Sequence, residues 1–149
     1  MRVLVTGGAG FIGSAVCRCF VLEENWPVLN VDKLTYAANT SSLAALEGRP
    51  NYRFSRTDIG DRAAIDDLFA DFAPDAVVHL AAESHVDRSI TGSAAFLATN
   101  VVGTHTLLEA ALGYWERLPT PRRAAFRFLH VSTDEVFGSL GPSGHFHET

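Results

Sequence analysis

Near its start the chain reads Val3-Leu4-Val5-Thr6-Gly7-Gly8-Ala9-Gly10-Phe11-Ile12-Gly13, an apolar run followed at once by spaced glycines. Glycines in such a turn allow a sharp exit from a strand, close approach of the backbone to a pyrophosphate, and tight packing of the next helix. That helix offers free N–H groups and the positive end of its dipole to phosphates. Asp32 follows nineteen residues after Gly13, behind a second apolar run, where a carboxylate accepts from both ribose hydroxyls. The pattern predicts a dinucleotide site that favours NAD over NADP.

The rest of the chain alternates between strand and helix patterns. Apolar runs predict five strands, at Val3–Thr6, Val28–Val31, Tyr52–Arg56, Ala76–Leu80 and Phe126–Ser132. A long helix is predicted from about Ser93 to Trp115, with an apolar side made of Phe96, Leu97, Val101, Leu107, Leu108 and Ala111. Strands that alternate with helices require right-handed crossovers and a parallel sheet. We therefore expect an α/β fold, a doubly wound parallel sheet with helices on both faces.

Length and composition fit one globular domain rather than a disordered chain. With 149 residues, 47% of them hydrophobic, the chain is long enough to bury a core. Its net charge of −5 disfavours a nucleic-acid-binding surface, although backbone amides can still hold phosphates. No long apolar stretch opens the sequence, so neither a signal peptide nor a membrane span is expected. Cys17 and Cys19 lie on different sides of a predicted helix and are not expected to pair, which suits a reducing cytoplasm.

Polar residues follow every predicted strand. Ligands of parallel sheets bind at the carboxyl ends of the strands, so these segments form the candidate site. They are the glycine turn, Asp32-Lys33-Leu34-Thr35, Asp58-Ile59, the segment from Leu80 to Arg88, and Ser132-Thr133-Asp134-Glu135. Their coincidence on one edge of the sheet is a stronger indication of a ligand-binding site than any single motif.

Several of these residues have two interpretations. The small side chains of Ala81 and Ala82 would let a flat ring or a ribose approach the backbone, or they reflect strand packing alone. Asp58 could accept a hydrogen bond from the adenine amine, or it could cap the next helix. Lys33 could reach a phosphate or the ribose edge, or it could extend into solvent.

Polar residues near the fourth strand are candidates for contacts to an anionic substrate. His85 and Arg88 could make such contacts, but His85 could equally be an exposed loop residue. On the long helix, Asn100 is expected to hydrogen-bond backbone near the sheet rather than a ligand. His145 and His147 supply too few ligands for a metal ion, so no metal site is expected.

The most suggestive cluster is Thr133-Asp134-Glu135. Two adjacent carboxyls beside a hydroxyl, at a strand end that faces a nicotinamide, suit paired acid and base chemistry. Like charges disfavour simultaneous ionisation, so one carboxyl can stay protonated while its neighbour is ionised. The competing interpretation is a solvated acidic turn.

Six motifs carry a resemblance to a known family. They are VTGGAGFIGS (Val5 to Ser14), VDKLTYA (Val31 to Ala37), TDIGD (Thr57 to Asp61), HLAAESHVDRSI (His79 to Ile90), FLATNVVGT (Phe96 to Thr104) and VSTDEVFG (Val131 to Gly138). With them the chain resembles the extended short-chain dehydrogenase/reductase family of nucleotide-sugar enzymes, the NAD-dependent epimerases and dehydratases. The pair Asp134-Glu135 is the most restrictive feature and points to the branch that dehydrates dTDP-glucose. In the resemblance, epimerases lack this pair and GDP-mannose dehydratases carry a serine in place of Asp134.

The resemblance implies a Rossmann-type fold, bound NAD, dTDP-glucose as substrate and a homodimeric full-length protein. The implied product is dTDP-4-keto-6-deoxyglucose, which leads to deoxysugars such as dTDP-rhamnose. In the implied reaction Glu135 takes the C5 proton, Asp134 protonates the departing C6 hydroxyl, and Thr133 hydrogen-bonds the C4 oxygen. The implied substrate contacts are Ser84, His85, Arg88 and Thr133. The implied cofactor contacts are Gly7, Gly10, Phe11, Ile12, Gly13, Asp32, Lys33, Leu34, Thr35, Asp58, Ile59, Leu80, Ala81, Ala82, Ser84 and Thr99.

One departure from the family is large. The family takes its C4 base from a tyrosine that is followed four residues later by a lysine, whereas the only lysine here is Lys33. Residues 1–149 are therefore expected to be an incomplete N-terminal NAD-binding domain, without the last strands and the sugar-nucleotide domain, and to be inactive alone. Two other functions stay open: a sugar-nucleotide 4-epimerase or decarboxylase of the same fold, and a non-catalytic NAD-binding family member.

Overall fold

Five parallel strands form the centre of the molecule, in the order β3-β2-β1-β4-β5. The computed structural model describes residues 1–85, 90 and 92–147. The strands are β1 (Val3–Thr6), β2 (Val28–Val31), β3 (Tyr52–Ser55), β4 (Ala76–His79) and β5 (Arg127–His130). The predicted strands are confirmed, although the last three end one or two residues earlier than predicted. The order, with β1 in the middle, is that of a doubly wound sheet.

Helices connect the strands and cover the sheet. They are α1 (Phe11–Arg18) with a π-helical extension (Cys19–Glu23), a 3₁₀ helix (Thr40–Leu46), α2 (Arg62–Phe72), the long helix (α3, Ser93–Phe96; a π-helical segment, Leu97–Gly103; α4, Thr104–Arg117), and α5 (Thr120–Ala125). The start of α2 is fixed by Asp61, whose carboxylate accepts from the Ala64 N–H at 3.1 Å. In the described ranges, no helix has the length and apolar content needed to cross a membrane.

Both faces of the sheet are apolar, because alternate residues of its strands point to opposite sides. On one side, Leu4 and Val77 pack in a cluster with residues of α2 and α4 such as Phe69 and Leu107. The opposite cluster consists of Val3, Val5, Ala9, Cys17, Val21, Val28, Leu43, Leu46 and Val78. With both faces covered, a ligand reaches the sheet at the ends of its strands.

The predicted apolar side of the long helix is divided between the core and the surface. Leu107 and Ala111 are buried, whereas Leu97, Val101 and Leu108 are exposed. The buried side consists of Thr99, Gly103, Leu107, Ala110, Ala111 and Tyr114. These buried residues recur at spacings of three and four, as on one side of a regular helix, so packing against the sheet and α2 determines which side is buried.

Candidate dinucleotide-binding site

A cleft of about 430 Å³ lies along the carboxyl ends of the strands. The residues that line it are Gly7, Gly10, Phe11, Ile12, Gly13, Val31, Asp32, Lys33, Thr35, Ala37, Ala38, Thr57, Ile59, Leu80, Ala81, Ala82, Glu83, Ser84, Thr99, Val131 and Ser132. Every strand of the sheet contributes the segment that follows it or its last residue. Of the sequence-predicted cofactor contacts, Leu34 and Asp58 do not line the cleft.

The glycine turn forms one wall of the cleft, and at two of its positions a side chain would clash with backbone atoms. Gly7 has a φ of 71°, and a Cβ there would lie 2.7 Å from the backbone nitrogen of Ala81. A Cβ on Gly13 would clash with the carbonyl oxygen of Gly7. The absence of these side chains leaves α1 packed against the turn, with its first N–H groups at the cleft. This cradle fits a pyrophosphate, which backbone amides can bind without a positively charged side chain.

Asp32 is held in a fixed orientation at the end of β2. One carboxylate oxygen accepts from the Ala9 N–H at 2.9 Å, and the other accepts from the Leu34 N–H at 2.8 Å. Each carboxylate oxygen has a second lone pair, so the half-buried group can still accept from ribose hydroxyls in the cleft. The Leu34 side chain packs against the core, so this residue contributes its N–H rather than its side chain.

Lys33 links three elements at the rim of the cleft. Its amino group lies 3.3 Å from the Asp58 carboxylate and donates to Thr99 Oγ1 at 3.1 Å. The interpretation in which Lys33 extends into solvent is therefore wrong. Asp58 also accepts from the Gly60 N–H at 2.9 Å, and Asp61 is the residue that caps α2, so the capping interpretation of Asp58 is wrong.

The segment after β4 forms the facing wall. Leu80, Ala81, Ala82 and Ser84 line the cleft as predicted. Asn100 on the long helix holds this segment through both backbone groups of Glu83: it donates to the carbonyl and accepts from the N–H, each at 2.8 Å. The predicted structural role of Asn100 is thus confirmed.

The mouth of the cleft is bridged by a hydrogen bond between its two sides. The Tyr36 hydroxyl, after β2, donates to the Glu83 carboxylate, after β4, at 3.1 Å. His85 is exposed, lies with its ring centroid 6.3 Å from that of Tyr36, and does not line the cleft. Arg88, the other predicted substrate contact here, lies outside the described residues.

The acidic pair follows directly on the cleft wall at the end of β5. Val131 and Ser132 line the cleft, and a 3₁₀ helix begins two residues later (Asp134–Phe137). Thr133 Oγ1 donates to the Asp134 carboxylate at 3.3 Å, and both residues are exposed. The side chain of Glu135 lies outside the described part of the chain.

Sequence reasoning missed two kinds of residue in this region. Val31, Ala37, Ala38, Thr57 and Val131 also line the cleft, and their positions beside the predicted strand ends are the signal that could have found them; Glu83 and Ser132 lie in the predicted segments. A buried hydrogen-bonded set, Thr6, His79 and Thr104, lies behind the wall. In the sequence, its signal is a polar residue at the last position of two apolar strands, β1 and β4.

Comparison with known proteins places the chain in a family. Residues 4–149 match the family described as GDP-mannose 4,6 dehydratase. A protein of Sinorhizobium fredii (strain NBRC 101917 / NGR234) named "Probable dTDP-glucose 4,6-dehydratase" is 62% identical over 99% of this chain. The dTDP-glucose 4,6-dehydratase of Escherichia coli is 58% identical over 94% of it.

The chain is also similar to solved structures of proteins with the same name as these relatives. The dTDP-glucose 4,6-dehydratase of Streptomyces venezuelae, solved with NAD bound, superposes with a TM-score of 0.81 at 44% identity and covers 97% of this chain and 43% of its own. The NAD complex of the Bacillus anthracis enzyme gives 0.82 at 35% identity, covering 99% of this chain and 42% of its own. This chain spans about 40% of the length of the curated relatives, 42% for the Sinorhizobium protein and 39% for the Escherichia coli one. The chain belongs to the GDP-mannose 4,6 dehydratase family of nucleotide-sugar enzymes.

Proposed function

We propose that this chain is the cofactor-binding part of an NAD-dependent enzyme that converts dTDP-glucose to dTDP-4-keto-6-deoxyglucose. The observation that carries the proposal is the pair Asp134-Glu135, which follows the cleft-lining Ser132 at the end of β5. The relatives named dTDP-glucose 4,6-dehydratase, and the two solved with NAD, support it.

The cleft fits NAD residue by residue. The amides of the glycine turn and the start of α1 would hold the pyrophosphate, and Asp32 would accept from the adenosine ribose. Ala81 and Ala82 leave the facing wall free of bulky side chains. When bound, NAD supplies a hydride acceptor at the sugar C4 and returns the hydride at C6.

The chain's own residues would move the protons of the elimination. A ketone at C4 acidifies the C5 hydrogen, which Glu135 would accept as a proton. Asp134 would donate a proton to the C6 hydroxyl, so the C6–O bond breaks and water leaves. Thr133 would hydrogen-bond the C4 oxygen, and Ser84, at the opposite wall, would position the sugar. As the hydride returns to C6, Glu135 would give its proton back to C5, and Asp134 would regain through solvent a proton equivalent to the one that the C4 hydroxyl releases.

The proposal is tested by supplying dTDP-glucose to the full-length protein that contains this chain and identifying the product. A 4-keto-6-deoxy sugar, formed without added oxidant once NAD is bound, is expected. A 4-epimer of the substrate would instead identify an epimerase of the same fold. Binding of NAD with neither product would identify a non-catalytic member.

We expect NAD to bind at least about tenfold more tightly than NADP, the equivalent of ~1.4 kcal/mol. The 2′-phosphate of NADP would meet the carboxylate of Asp32, whose orientation is fixed by the Ala9 and Leu34 amides. Calorimetric titration with both cofactors measures the preference. Asp32→Asn should reduce the preference for NAD, whereas Asp66→Asn, which removes a partly exposed carboxylate on α2, should not. Equal or tighter NADP binding by the unchanged chain would overturn the assignment of Asp32.

We also propose that the exposed side of the long helix pairs two copies of the protein. Its exposed aliphatic residues are Leu97, Val101, Val102, Leu108 and Leu112. Monomeric proteins rarely expose so continuous an apolar stripe. Residues 1–149 should therefore self-associate in light scattering at high concentration. Combined Val101→Lys and Leu108→Lys should reduce this association, while Glu109→Lys on the same helix should not, and a monodisperse unchanged chain would contradict the proposal.

A further inference from the structure

Three side chains form a hydrogen-bonded row behind the cleft. Thr6 ends β1, His79 ends β4 beside it in the sheet, and Thr104 begins α4. Thr6 Oγ1 lies 2.6 Å from His79 Nδ1, and His79 Nε2 lies 3.0 Å from Thr104 Oγ1. Thr6 and His79 are fully buried.

The neighbours of Thr6 determine where the hydrogens are. Its Oγ1 accepts from the Ala81 N–H at 3.2 Å and, at 3.3 Å, from the Leu80 N–H, which also donates to the Thr6 carbonyl at 3.1 Å. Two N–H groups thus face the lone pairs of the hydroxyl, which favours donation of its own hydrogen to His79 Nδ1. His79 must then carry its hydrogen on Nε2 and donate it to Thr104. Burial lowers the pKa of His79 from 6.5 to about 4, and the nearby ring of His130 acts in the same direction, so the neutral ring that this arrangement needs is the stable one.

The row connects elements that carry the cleft walls. Ala81, held by Thr6, lines the cleft and lies against Gly7 so closely that a Cβ on Gly7 would clash with it. Next to Thr104, Gly103 packs against Ile59, another lining residue. The ring of His79 is therefore hydrogen-bonded to the long helix through Thr104 and to Thr6, which precedes the glycine turn and holds the Ala81 wall.

We propose that His79 is a positioning residue of the dinucleotide site: as the Nε2–H tautomer, it orients the Thr6 hydroxyl and so fixes the wall at Leu80 and Ala81 against the glycine turn. The inference rests on the proposed function, since it takes NAD to be the ligand of the cleft. A histidine that only fills the core would affect stability alone. If His79 is a positioning residue, a variant that keeps an acceptor facing the Thr6 hydroxyl retains NAD affinity, and a variant without that acceptor loses it.

Two matched pairs of variants separate these roles. Thr6→Val keeps the shape but removes the hydroxyl, and Thr6→Ser keeps the hydroxyl. His79→Leu removes both ring nitrogens, and His79→Asn keeps an acceptor where Nδ1 lies. NAD affinity is measured by calorimetry on the purified chain, and the melting temperature of each variant is recorded beside it.

We expect Thr6→Val and His79→Leu to weaken NAD binding about tenfold, the equivalent of one hydrogen bond, and Thr6→Ser and His79→Asn to stay within about threefold of the unchanged chain. Affinities that follow melting temperature, whichever acceptor is present, would overturn the inference while leaving NAD binding intact. Failure of the unchanged chain to bind NAD would overturn the proposed function itself.

Nitrogen NMR of the histidine rings gives a second readout that needs no cofactor. The ring of His79 should show a hydrogen on Nε2 and none on Nδ1 at neutral pH, and Thr6→Val should allow a mixture of tautomers. A hydrogen on Nδ1 in the unchanged chain would contradict the proposed direction of the Thr6 hydroxyl.

Discussion

In the full-length protein, Asp134→Asn and Glu135→Gln should each slow the elimination of water by roughly 10²–10⁴-fold, the usual contribution of a general acid or base. Asn keeps the shape of the aspartate but has no acidic proton for the C6 hydroxyl. Gln keeps the shape of the glutamate but cannot accept the C5 proton. Both variants should leave the rate of the first hydride transfer unchanged, because the resemblance assigns that step to a tyrosine and not to Asp134 or Glu135.

Single-turnover absorbance of the reduced cofactor measures this directly. In both variants we expect the signal to build up and persist, with a 4-keto sugar that has not lost water. Glu109→Gln, an exposed carboxylate on the long helix, is the matched control and should behave like the unchanged enzyme. If the pair were only a solvated acidic turn, both variants would eliminate water at near-normal rates, and that result would remove Asp134 and Glu135 from the mechanism.

Residues 1–149 alone should turn over dTDP-glucose at least roughly 10²–10⁴-fold more slowly than the full-length protein, because they lack the tyrosine and lysine, four residues apart, that the resemblance implies as the C4 base. No tyrosine of this segment can replace it. Tyr52 begins β3 and Tyr114 donates to the Pro74 carbonyl at 2.9 Å, so both lie near the amino ends of the strands, opposite the cleft. Tyr36 is near the cleft, but its hydroxyl donates to Glu83, and Lys33, the only lysine of the sequence, is paired with Asp58.

An assay for the 4-keto-6-deoxy product, run on residues 1–149 and on the full-length protein at equal concentration, checks this expectation. The comparison is meaningful only with NAD bound to both proteins, which calorimetry establishes beforehand. Comparable rates would show that the C4 base lies within these residues and that its assignment to a tyrosine and lysine elsewhere is wrong.

The sheet and the glycine turn could be predicted from sequence because their signals are local. A buried parallel strand is recognised as a short apolar run. Alternation of such runs with helices favours a parallel sheet that has helices on both faces. The glycine turn could also be predicted, because a Cβ on Gly7 or Gly13 has no space in the structure and these positions therefore need glycine. The position of Asp32 in the cleft follows from the end of the second run.

Other features depend on contacts between distant parts of the chain, which the sequence pattern does not encode. Lys33 and Asp58 read as two separate candidates, whereas they form an ion pair across two strand ends. His79 reads as part of an apolar strand, and its partners Thr6 and Thr104 come from other elements. The apolar side predicted for the long helix is divided between the core and the surface, because the choice of the buried side depends on packing against other elements.

Calorimetric titration of the chain with NAD, beside Gly13→Ala and Gly141→Ala, tests the central claim that the cleft is a dinucleotide site. A Cβ on Gly13 would clash with the Gly7 carbonyl and push α1 away from the turn, whereas a Cβ on Gly141 would meet open space. We predict saturable binding of one NAD by the unchanged chain and by Gly141→Ala, and binding weaker by about tenfold or more in Gly13→Ala. A folded chain with no saturable NAD binding, or a Gly13→Ala variant with unchanged affinity, would contradict the claim.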